Sequence, residues 1–512
     1  MDRADRLSAC RTRSYLRWVN ASTLSPTDAT TTRDLILVRL GAEVTLKSRR
    51  TRHQFVERLV GNLEDALQSV GEAPDVESTW GRVWVRAGRT ALPTLAHVFG
   101  ISSLSPVARV VAPDLDEIVR AGEALFMDAV RGRRFAVRAR RTGEHAFTSR
   151  DVEVQLGAAL LPHAAGVRLT DPDFTAFVEV RDHDAYLFSE RVDGAGGLPL
   201  GVEGHAVSLL SGGFDSAVAS WQILKRGVAL DYVFCNLGGD AYERAVLQVA
   251  KVLADQWSWG TRPRLHVIDF QEPLRDLRST VRQSYWQVVL KRLMYRAASR
   301  IGEQVRAAAI ITGESIGQVS SQTLLNLAAI DPAATLPVFR PLIGFDKEEI
   351  IALARTVGTA ALSEQVREYC AIAPGKPVTA TSAERIDTEE AGLDRTVLAA
   401  AIAGRKVFDL RALAATDLVA PYLFIDVIPD DAVVIDCRTR AQYRAWHVPG
   451  AEHRDEWDVL RSIPSFDPDR HYVLYCAHGI QSAYLAERLQ RAGIEAHSYR
   501  GGSAALMRSV SS

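Results

Sequence analysis

The hexapeptide SGGFDS, residues 211–216, places two glycines, two hydroxyls and a carboxylate in one short stretch. The apolar run AVSLL precedes it, and an amphipathic helix pattern follows it. A strand that ends in a glycine turn before a helix directs backbone N–H groups and the positive helix end toward an anion. The stretch lacks the Gly-Lys-Ser/Thr ending of a Walker loop and the GxGxxG dinucleotide pattern. We therefore expect it to bind the phosphates of a nucleotide in another way.

Two later segments carry polar groups that could complete such a site. ITGESIGQVSSQT, residues 311–323, follows a predicted strand, and RPLIGFDKEEI, residues 340–350, places Lys347 in the first turn of a helix. The helix dipole disfavours a cation there, so Lys347 indicates a phosphate partner, although a plain surface lysine is the alternative. SGGxDS resembles the pyrophosphate loop (PP-loop) of ATP pyrophosphatases, which cleave ATP between its α- and β-phosphates and adenylate a substrate. A simple tight turn is the alternative, but ligands bind at such strand ends in α/β sheets.

The five cysteines are scattered, and none forms a CxxC pair, which argues against a disulfide framework and a structural zinc site. Cys476 lies in YVLYCAHGIQSAYLAERL, where an apolar strand leads through a short loop to a helix. Loop amides and a helix N-terminus can stabilise a thiolate or a persulfide anion. A buried structural cysteine is the alternative.

Basic residues cluster in two segments, although the whole chain carries a formal net charge of −1. Residues 131–150 hold seven arginines against one glutamate, and residues 39–58 hold six Lys/Arg against two Glu. In RFAVRAR the arginines alternate with apolar residues, as in a half-buried strand with one basic face. This pattern favours a nucleic-acid surface over a merely solvated face.

The surrounding pattern supplies the elements that must position these groups. Residues 205 to about 372 alternate apolar strands with longer helices, which predicts a parallel sheet covered on both faces. Residues 35–90 and 91–195 have the pattern of two α+β units, and the last hundred residues have that of another α/β unit. No apolar run reaches about 18 residues, and the N-terminus lacks a signal-peptide core, so a cytoplasmic protein is expected.

Several motifs then occur in one order along the chain, and together they resemble the bacterial tRNA 4-thiouridine synthetase (tRNA sulfurtransferase) family over roughly residues 35–510. They are SGGFDS, LKRLMYRAA, TGESIGQVSSQT, RPLIGFDKEEI and EYCAIAPGKPV. VVIDCRTRAQYRAWHVPGAEH and the Cys476 segment resemble a rhodanese domain, whose loop cysteine carries sulfane sulfur. The loop departs from that pattern, since Cys-Ala-His-Gly-Ile-Gln-Ser lacks the usual arginines. The departure argues against thiosulfate turnover and leaves a persulfide relay intact.

The resemblance implies an α/β multidomain fold. It comprises a ferredoxin-like plus THUMP α+β N-terminal part, a doubly wound parallel-sheet ATP-pyrophosphatase domain and a C-terminal rhodanese-like α/β domain. We expect a poorly ordered extension at 1–34, the ferredoxin-like domain at 35–90, the THUMP domain at 91–195, the PP-loop domain at 196–373, a linker at 374–415 and the rhodanese-like domain at 416–512. The polar linker suits a swing that brings distant cysteines together.

The resemblance also implies which residues act. Cys476 carries the persulfide, and Cys370 forms a transient disulfide with it. Asp215 orients Mg²⁺ or the phosphates, and Lys347 offsets charge on the α-phosphate. No protein-held metal site is predicted. ATP contacts are expected from Leu209, Leu210, Ser211, Gly212, Gly213, Asp215, Ser216, Phe234, Cys235, Lys291, Gly313 and Gln322. Contacts with tRNA are expected from Lys47, Arg49, Arg50, Arg133, Arg134, Arg138, Arg140 and Arg141.

The implied reaction makes 4-thiouridine, at uridine 8 of tRNA, from ATP and a sulfur atom. The implied partners are tRNA, a cysteine desulfurase as persulfide donor, a thiol reductant and a sulfur carrier of thiamine thiazole synthesis, with no membrane. A homodimer is left open. The alternatives are another PP-loop tRNA-modifying ATP pyrophosphatase fused to a rhodanese module, and a non-catalytic tRNA-binding protein. Intact SGGFDS and both cysteines argue against the second.

Overall fold

The computed structural model describes residues 33–79, 81–237, 239–364, 376–418, 421–477 and 479–510. The extension predicted over residues 1–34 lies outside these ranges except for its last two residues. The described strands form one six-stranded and three five-stranded sheets. None of the described helices is both long enough and apolar enough to cross a membrane.

An antiparallel sheet and one long helix form the first unit. Its elements are β1 (Asp34–Leu40), α1 (Ala42–Thr45), α2 (Arg49–Ser69), β2 (Val76–Thr79), β3 (Arg82–Ala87), α3 (Leu92–Ala96) and β4 (Ile101–Val107). The strands pair antiparallel in the order β4-β1-β3-β2. Phe55, Leu59 and Leu63 recur at helical spacing along α2 and are buried in one cluster with Ile36 and Val38 of β1. The apolar stripe of α2 therefore covers one face of this sheet.

A second sheet carries two helices on one face and the predicted basic strand. Its elements are β5 (Arg109–Val111), α4 (Leu115–Phe126), β6 (Arg134–Arg141), α5 (Ser149–Leu160), β7 (Gly166–Val167), β8 (Phe174–Val180) and β9 (Ala185–Phe188), after which β10 (Val192–Asp193) returns to the first sheet beside β4. The order is β5-β9-β8-β6-β7. Phe135 and Val137 of β6 are buried under the helices, whereas Arg138 and Arg140 are exposed. The strand therefore has one basic face, as the alternation predicted.

A buried carboxylate joins these two sheets. Glu179 of β8 is 2% exposed and accepts hydrogen bonds from Arg82 of β3 at 2.7 Å and from Arg181 at 2.7 Å. Arg39 of β1 reaches its other oxygen at 3.2 Å. Burial alone would raise the pKa of Glu179, but the three guanidinium groups hold it below the usual value. A buried carboxylate of one sheet that bonds two arginines of the other fixes how the two sheets meet.

The third sheet confirms the doubly wound prediction. Its elements are β11 (His205–Leu209), α6 (Phe214–Leu224), β12 (Ala229–Asn236), α7 (Gly239–Trp257), β13 (Arg264–Asp269), α8 (Gln271–Thr280), α9 (Trp286–Val305), β14 (Ile310–Ile311), α10 (Leu324–Ile330), β15 (Val338–Phe339), α11 (Lys347–Val357) and α12 (Ala360–Ser363). These strands pair parallel in the order β15-β14-β11-β12-β13. Tyr232 and Phe234 of β12 face one helical layer and Val233 and Cys235 the other. The strand order reverses at β11, the point where such sheets bind ligands.

The prediction of a linker over residues 374–415 is wrong for most of the described part of this segment, which forms regular elements. Two helices, α13 (Ala383–Glu390) and α14 (Arg395–Ala403), and an edge strand, β16 (Lys406–Asp409), occupy it. The strand β16 pairs antiparallel with β13, and Ile386 and Ile402 are buried in the core of the third sheet. The scarcity of large apolar residues in this segment suggested a linker, yet a few of them at helical spacing are enough to anchor short helices.

The last sheet is parallel throughout. Its elements are α15 (Ala415–Leu418), β17 (Phe424–Ile425), β18 (Val433–Asp436), α16 (Arg440–Ala445), β19 (Glu452–His453), α17 (Glu456–Ser462), β20 (Tyr472–Tyr475), α18 (Ile480–Arg491), β21 (Ala496–Tyr499) and α19 (Gly502–Val510). The order is β17-β21-β20-β18-β19. Ile435 and Leu474 face one apolar cluster, and Val434 and Val473 face another. The sheet is therefore covered on both sides, and Cys476 directly follows its central strand.

Candidate active site

The SGGFDS stretch forms a tight loop between β11 and α6. Gly212 adopts a φ of +78°, a left-handed value that side chains disfavour. The hydroxyl of Ser216 closes the loop, since it accepts a hydrogen bond from the Ser211 amide at 3.1 Å and donates to the Gly213 carbonyl at 3.2 Å. Gly213 is the N-cap of α6 and no side chain caps the helix. The first amides of α6 are therefore available to an anion.

A cavity of about 410 Å³ opens at the carboxyl ends of β11, β12 and β14. Its volume falls in the usual range for small-molecule sites, about 300–1,000 Å³. The predicted ATP contacts that line it are Leu209, Leu210, Ser211, Gly213, Asp215, Ser216, Phe234, Cys235, Lys291, Gly313 and Gln322. Residues from four segments of the chain, one of them the 311–323 segment, thus meet around one space.

Asp215 links the loop to the 311–323 segment and to the start of α11. One carboxylate oxygen accepts a hydrogen bond from Lys347 Nζ at 2.9 Å, and the other accepts one from Gln318 Nε2 at 3.0 Å. The start of α11 is fixed by a capping box, in which Asp346 and Glu349 exchange side-chain and backbone hydrogen bonds. Lys347, the first residue of that helix, therefore stands beside the anion loop, where its charge can act on a bound phosphate.

Glu314 is a cavity residue that sequence reasoning did not single out. It accepts hydrogen bonds from the Tyr295 hydroxyl at 2.5 Å and Arg340 Nε at 2.9 Å, and Lys291 Nζ lies 3.4 Å from its other oxygen. Burial alone would raise its pKa, but the charges of Lys291 and Arg340 hold the pKa below the usual value. Burial raises the pKa of Tyr295, which keeps it a donor. The signal in the sequence that could have indicated Glu314 is an acidic residue in the Gly-Glu turn that follows β14.

Two glutamine side chains in the cavity have buried acceptors without a hydrogen bond among the described residues. They are Gln318 and Gln322, whose Oε1 atoms are unsatisfied. A buried acceptor left without a donor costs about 1–3 kcal/mol, so such atoms indicate where a ligand donates. The cavity therefore combines amide donors for an anion with buried acceptors for a donor group.

The predicted tRNA contacts lie on the first two units. Arg133, Arg134, Arg138 and Arg140 are exposed and Arg141 is half-buried. Arg138 donates to the Leu169 carbonyl, and Arg141 donates to the Gly143 carbonyl at 2.7 Å. The other three predicted contacts, Lys47, Arg49 and Arg50, are exposed at the start of α2.

Cys476 is 4% exposed and its sulfur accepts two hydrogen bonds. The donors are the Gly479 amide at 3.1 Å and the Ser482 hydroxyl at 3.4 Å, both at the start of α18. Such donors stabilise an anionic sulfur. Cys370 lies outside the described residues, so the Cys370–Cys476 disulfide stays a prediction.

An anion loop beside a nucleotide-sized cavity, followed by a parallel sheet with a hydrogen-bonded cysteine after its central strand, defines a multidomain PP-loop protein with a rhodanese-like unit. Four family models match in chain order. They are "ThiI ferredoxin-like domain" at residues 35–105, "THUMP domain" at 112–190, "Thiamine biosynthesis protein (ThiI)" at 201–394 and "Rhodanese-like domain" at 424–508. These matches confirm the predicted fold class.

The chain belongs to the tRNA sulfurtransferase family. A relative from Pyrobaculum aerophilum named tRNA sulfurtransferase is 37% identical over 91% of this chain and 96% of its own length. A bacterial relative of the same name, from Blochmanniella pennsylvanica, is 33% identical over 90% of this chain and 97% of its own length. A solved "4-thiouridine synthetase - RNA complex with bound ATP" is 32% identical, covers 74% of this chain and 99% of its own, and has a TM-score of 0.65.

Proposed function

We propose that the protein is an ATP-dependent tRNA sulfurtransferase that converts a tRNA uridine, at position 8, to 4-thiouridine. The observation that carries the proposal is the closed SGGFDS loop with Asp215 and Lys347 beside the cavity. The solved 4-thiouridine synthetase in complex with RNA and ATP supports the same substrates for this chain.

In the first step, the loop amides and the N-terminus of α6 hold the phosphates of ATP. The O4 oxygen of uridine attacks the α-phosphorus, pyrophosphate leaves, and O4 becomes part of a good leaving group. Lys347 offsets the charge that develops on the α-phosphate. Asp215 holds Lys347 in place by accepting a hydrogen bond from its Nζ at 2.9 Å. The unsatisfied acceptor of Gln322 suits the exocyclic amino group of adenine.

The site offers a protein carboxylate that could hold a magnesium ion. Asp215 supplies carboxylate oxygens next to the loop, and Mg²⁺ is usually held by one or two carboxylates together with substrate phosphates. When bound, the ion would neutralise charge on the pyrophosphate leaving group.

In the second step, Cys476 supplies sulfur. A cysteine desulfurase transfers a sulfur atom to the Cys476 thiolate, which the hydrogen bonds from Gly479 and Ser482 to Sγ stabilise. The outer sulfur replaces AMP at C4 of the uridine in one of two ways. It attacks while still bound to Cys476, and Cys370 then cleaves the resulting disulfide between Cys476 and the tRNA, or it attacks as hydrosulfide after Cys370 has released it. Both routes leave a Cys370–Cys476 disulfide, which a thiol reductant restores to two thiols.

The test of this function is the product in tRNA. Purified protein with unmodified tRNA, ATP, cysteine and a cysteine desulfurase is expected to form 4-thiouridine, detected by nucleoside mass spectrometry, and omission of ATP is expected to prevent it. Bulk tRNA from a deletion strain should lack the same nucleoside. A different modified base would point to another PP-loop tRNA-modifying enzyme, and tRNA binding without any product would point to a non-catalytic binding protein.

Position 313 tests where ATP binds. A Cβ atom on Gly313 would lie 2.5 Å from the Asp215 carbonyl carbon and 2.6 Å from the Ser216 nitrogen, so Gly313→Ala must push against backbone. Overpacking of this kind costs about 1–3 kcal/mol, and we expect at least about tenfold weaker ATP binding by calorimetry. The control is Gly344→Ala, because no atom lies within 4 Å of its Cβ position. Unchanged ATP affinity in a folded Gly313→Ala protein would contradict this placement of the nucleotide.

The basic face of β6 is proposed to bind the tRNA backbone. Arg138→Ala with Arg140→Ala should weaken tRNA binding and lower the slope of log affinity against log salt by about 2, as loss of two phosphate contacts requires. The matched control is Arg470→Ala with Arg488→Ala, two exposed arginines of the last sheet unit. Equal effects of both pairs in filter binding at several salt concentrations would show that β6 has no special role.

A role in thiamine thiazole synthesis is a second candidate function, favoured by the family description "Thiamine biosynthesis protein (ThiI)". In this role Cys476 would pass its outer sulfur to a sulfur carrier of that pathway. A strain carrying only Cys476→Ser protein should then need added thiazole for growth, whereas growth without it would remove this candidate.

A further inference from the structure

A second cysteine lies beside Cys476 at the same end of the same sheet. Strands β18 and β20 pair parallel, with Asp436 opposite Tyr475 in the last register position. A cysteine directly follows each strand: Cys437 follows β18, and Cys476 follows β20. The Cys437 amide donates to the Tyr475 carbonyl at 2.9 Å, which is the bond expected when residue 437 stands opposite residue 476. The two cysteines are therefore direct neighbours across two parallel strands.

Their side chains also share one face of the sheet. Residues in register on neighbouring strands point to the same side, and side chains alternate along each strand. Cys437 and Cys476 belong to the apolar cluster that contains Ile435 and Leu474, two positions earlier on each strand. Neighbouring strands lie about 4.8 Å apart, inside the Cα separation of about 4.4–6.8 Å that disulfides span. The expected Cα separation of the two cysteines is thus compatible with a disulfide.

We propose that Cys437 is a second resolving cysteine, which releases the sulfur of the Cys476 persulfide inside the last sheet unit. The Cys437 thiolate attacks Sγ of Cys476, the bond between Sγ and the outer sulfur breaks, and the outer sulfur leaves with the electron pair as hydrosulfide. The proton lost by the Cys437 thiol balances the charge. The outer sulfur is reduced by two electrons, the cysteine pair is oxidised to a disulfide, and a thiol reductant restores both thiols.

Proximity distinguishes this route from the one through Cys370. Cys370 is 106 positions from Cys476 in the chain and must be brought to it. Cys437 and Cys476 are 3% and 4% exposed and already adjacent, so the internal route needs no approach of another segment through solvent. It therefore provides an outlet for hydrosulfide when neither Cys370 nor tRNA is in place. The inference rests on the proposed function in one respect, that Cys476 carries a persulfide.

The experiment uses full-length protein with Cys370→Ala, loaded by a cysteine desulfurase and cysteine, then freed of both and of reductant. Trypsin separates the relevant cysteines, because Cys437 lies in peptide 412–438 and Cys476 in peptide 471–488. We expect sulfide release together with a cross-linked pair of these peptides. Adding Cys437→Ser should slow sulfide release at least about tenfold and leave peptide 471–488 with one extra sulfur. Adding Cys10→Ser instead is the matched control and should change neither readout.

The outcomes separate this inference from the proposed function. A loaded Cys476 that releases sulfide equally fast with Cys437→Ser, or that never yields the cross-linked peptides, overturns the role of Cys437 and leaves the persulfide assignment standing. Failure to load Cys476 at all overturns both. The cross-link is measured in protein that retains Cys437, so it does not depend on how the Cys437→Ser variant folds.

Discussion

Asp215→Ala is expected to lower ATP-dependent pyrophosphate release in the presence of tRNA by about 100-fold or more, the usual scale for loss of a preorganised electrostatic contact. The carboxylate accepts hydrogen bonds from Lys347 and Gln318. Its removal therefore frees the Lys347 side chain and the cavity-lining Gln318 side chain at the same time. An assay of pyrophosphate with tRNA and ATP, without a sulfur donor, isolates this step from sulfur transfer.

Asp215→Asn separates position from charge in the same experiment. An asparagine can still accept from Lys347, and an amide flip of Gln318 would restore the second hydrogen bond. We expect pyrophosphate release between that of the original protein and that of Asp215→Ala. Glu348→Ala, an exposed neighbour of Lys347 on α11, is the control and should retain full release. Pyrophosphate release by Asp215→Ala at the original rate would refute the role of the loop.

The signals by which the sequence predicts the candidate nucleotide site are local. A glycine turn between a strand and a helix directs backbone amides toward an anion, Ser211 and Ser216 add hydroxyl groups, and the structure places that turn at the cavity. Lys347 was predicted from a local conflict, a cation at a positive helix end, and the structure relieves the conflict through Asp215. Such features can be predicted without knowing which distant segments of the chain come into contact.

The features that the sequence did not predict depend on distant partners. Glu314 acquires its role from Tyr295, Lys291 and Arg340, which reach it only after the third sheet has formed. Cys437 looks like a packing residue until the register of β18 and β20 places it opposite Cys476. The helices in the expected linker form because a few apolar residues find a core that local composition does not show.

Cys476→Ser is expected to reduce 4-thiouridine formation to the level of a reaction without protein. Serine cannot carry sulfane sulfur, yet its hydroxyl can accept the same hydrogen bonds from Gly479 and Ser482, so the start of α18 should keep its structure. The ATP site lies on a different sheet, and tRNA-dependent pyrophosphate release should stay within about twofold of the original. The paired measurement is nucleoside mass spectrometry beside the pyrophosphate assay.

Comparing pyrophosphate release with 4-thiouridine formation in the two variants shows which residue serves adenylation and which serves sulfur transfer. With Cys476→Ser, adenylation should continue while sulfur transfer stops, whereas Asp215→Ala should stop both, because sulfur has no activated uridine to attack. Cys10→Ser is the control for loss of a thiol elsewhere in the chain and should leave both readouts unchanged. Normal thiolation by Cys476→Ser would assign the persulfide to another cysteine. Loss of pyrophosphate release in a folded Cys476→Ser protein would instead show that the thiol is needed before sulfur is transferred.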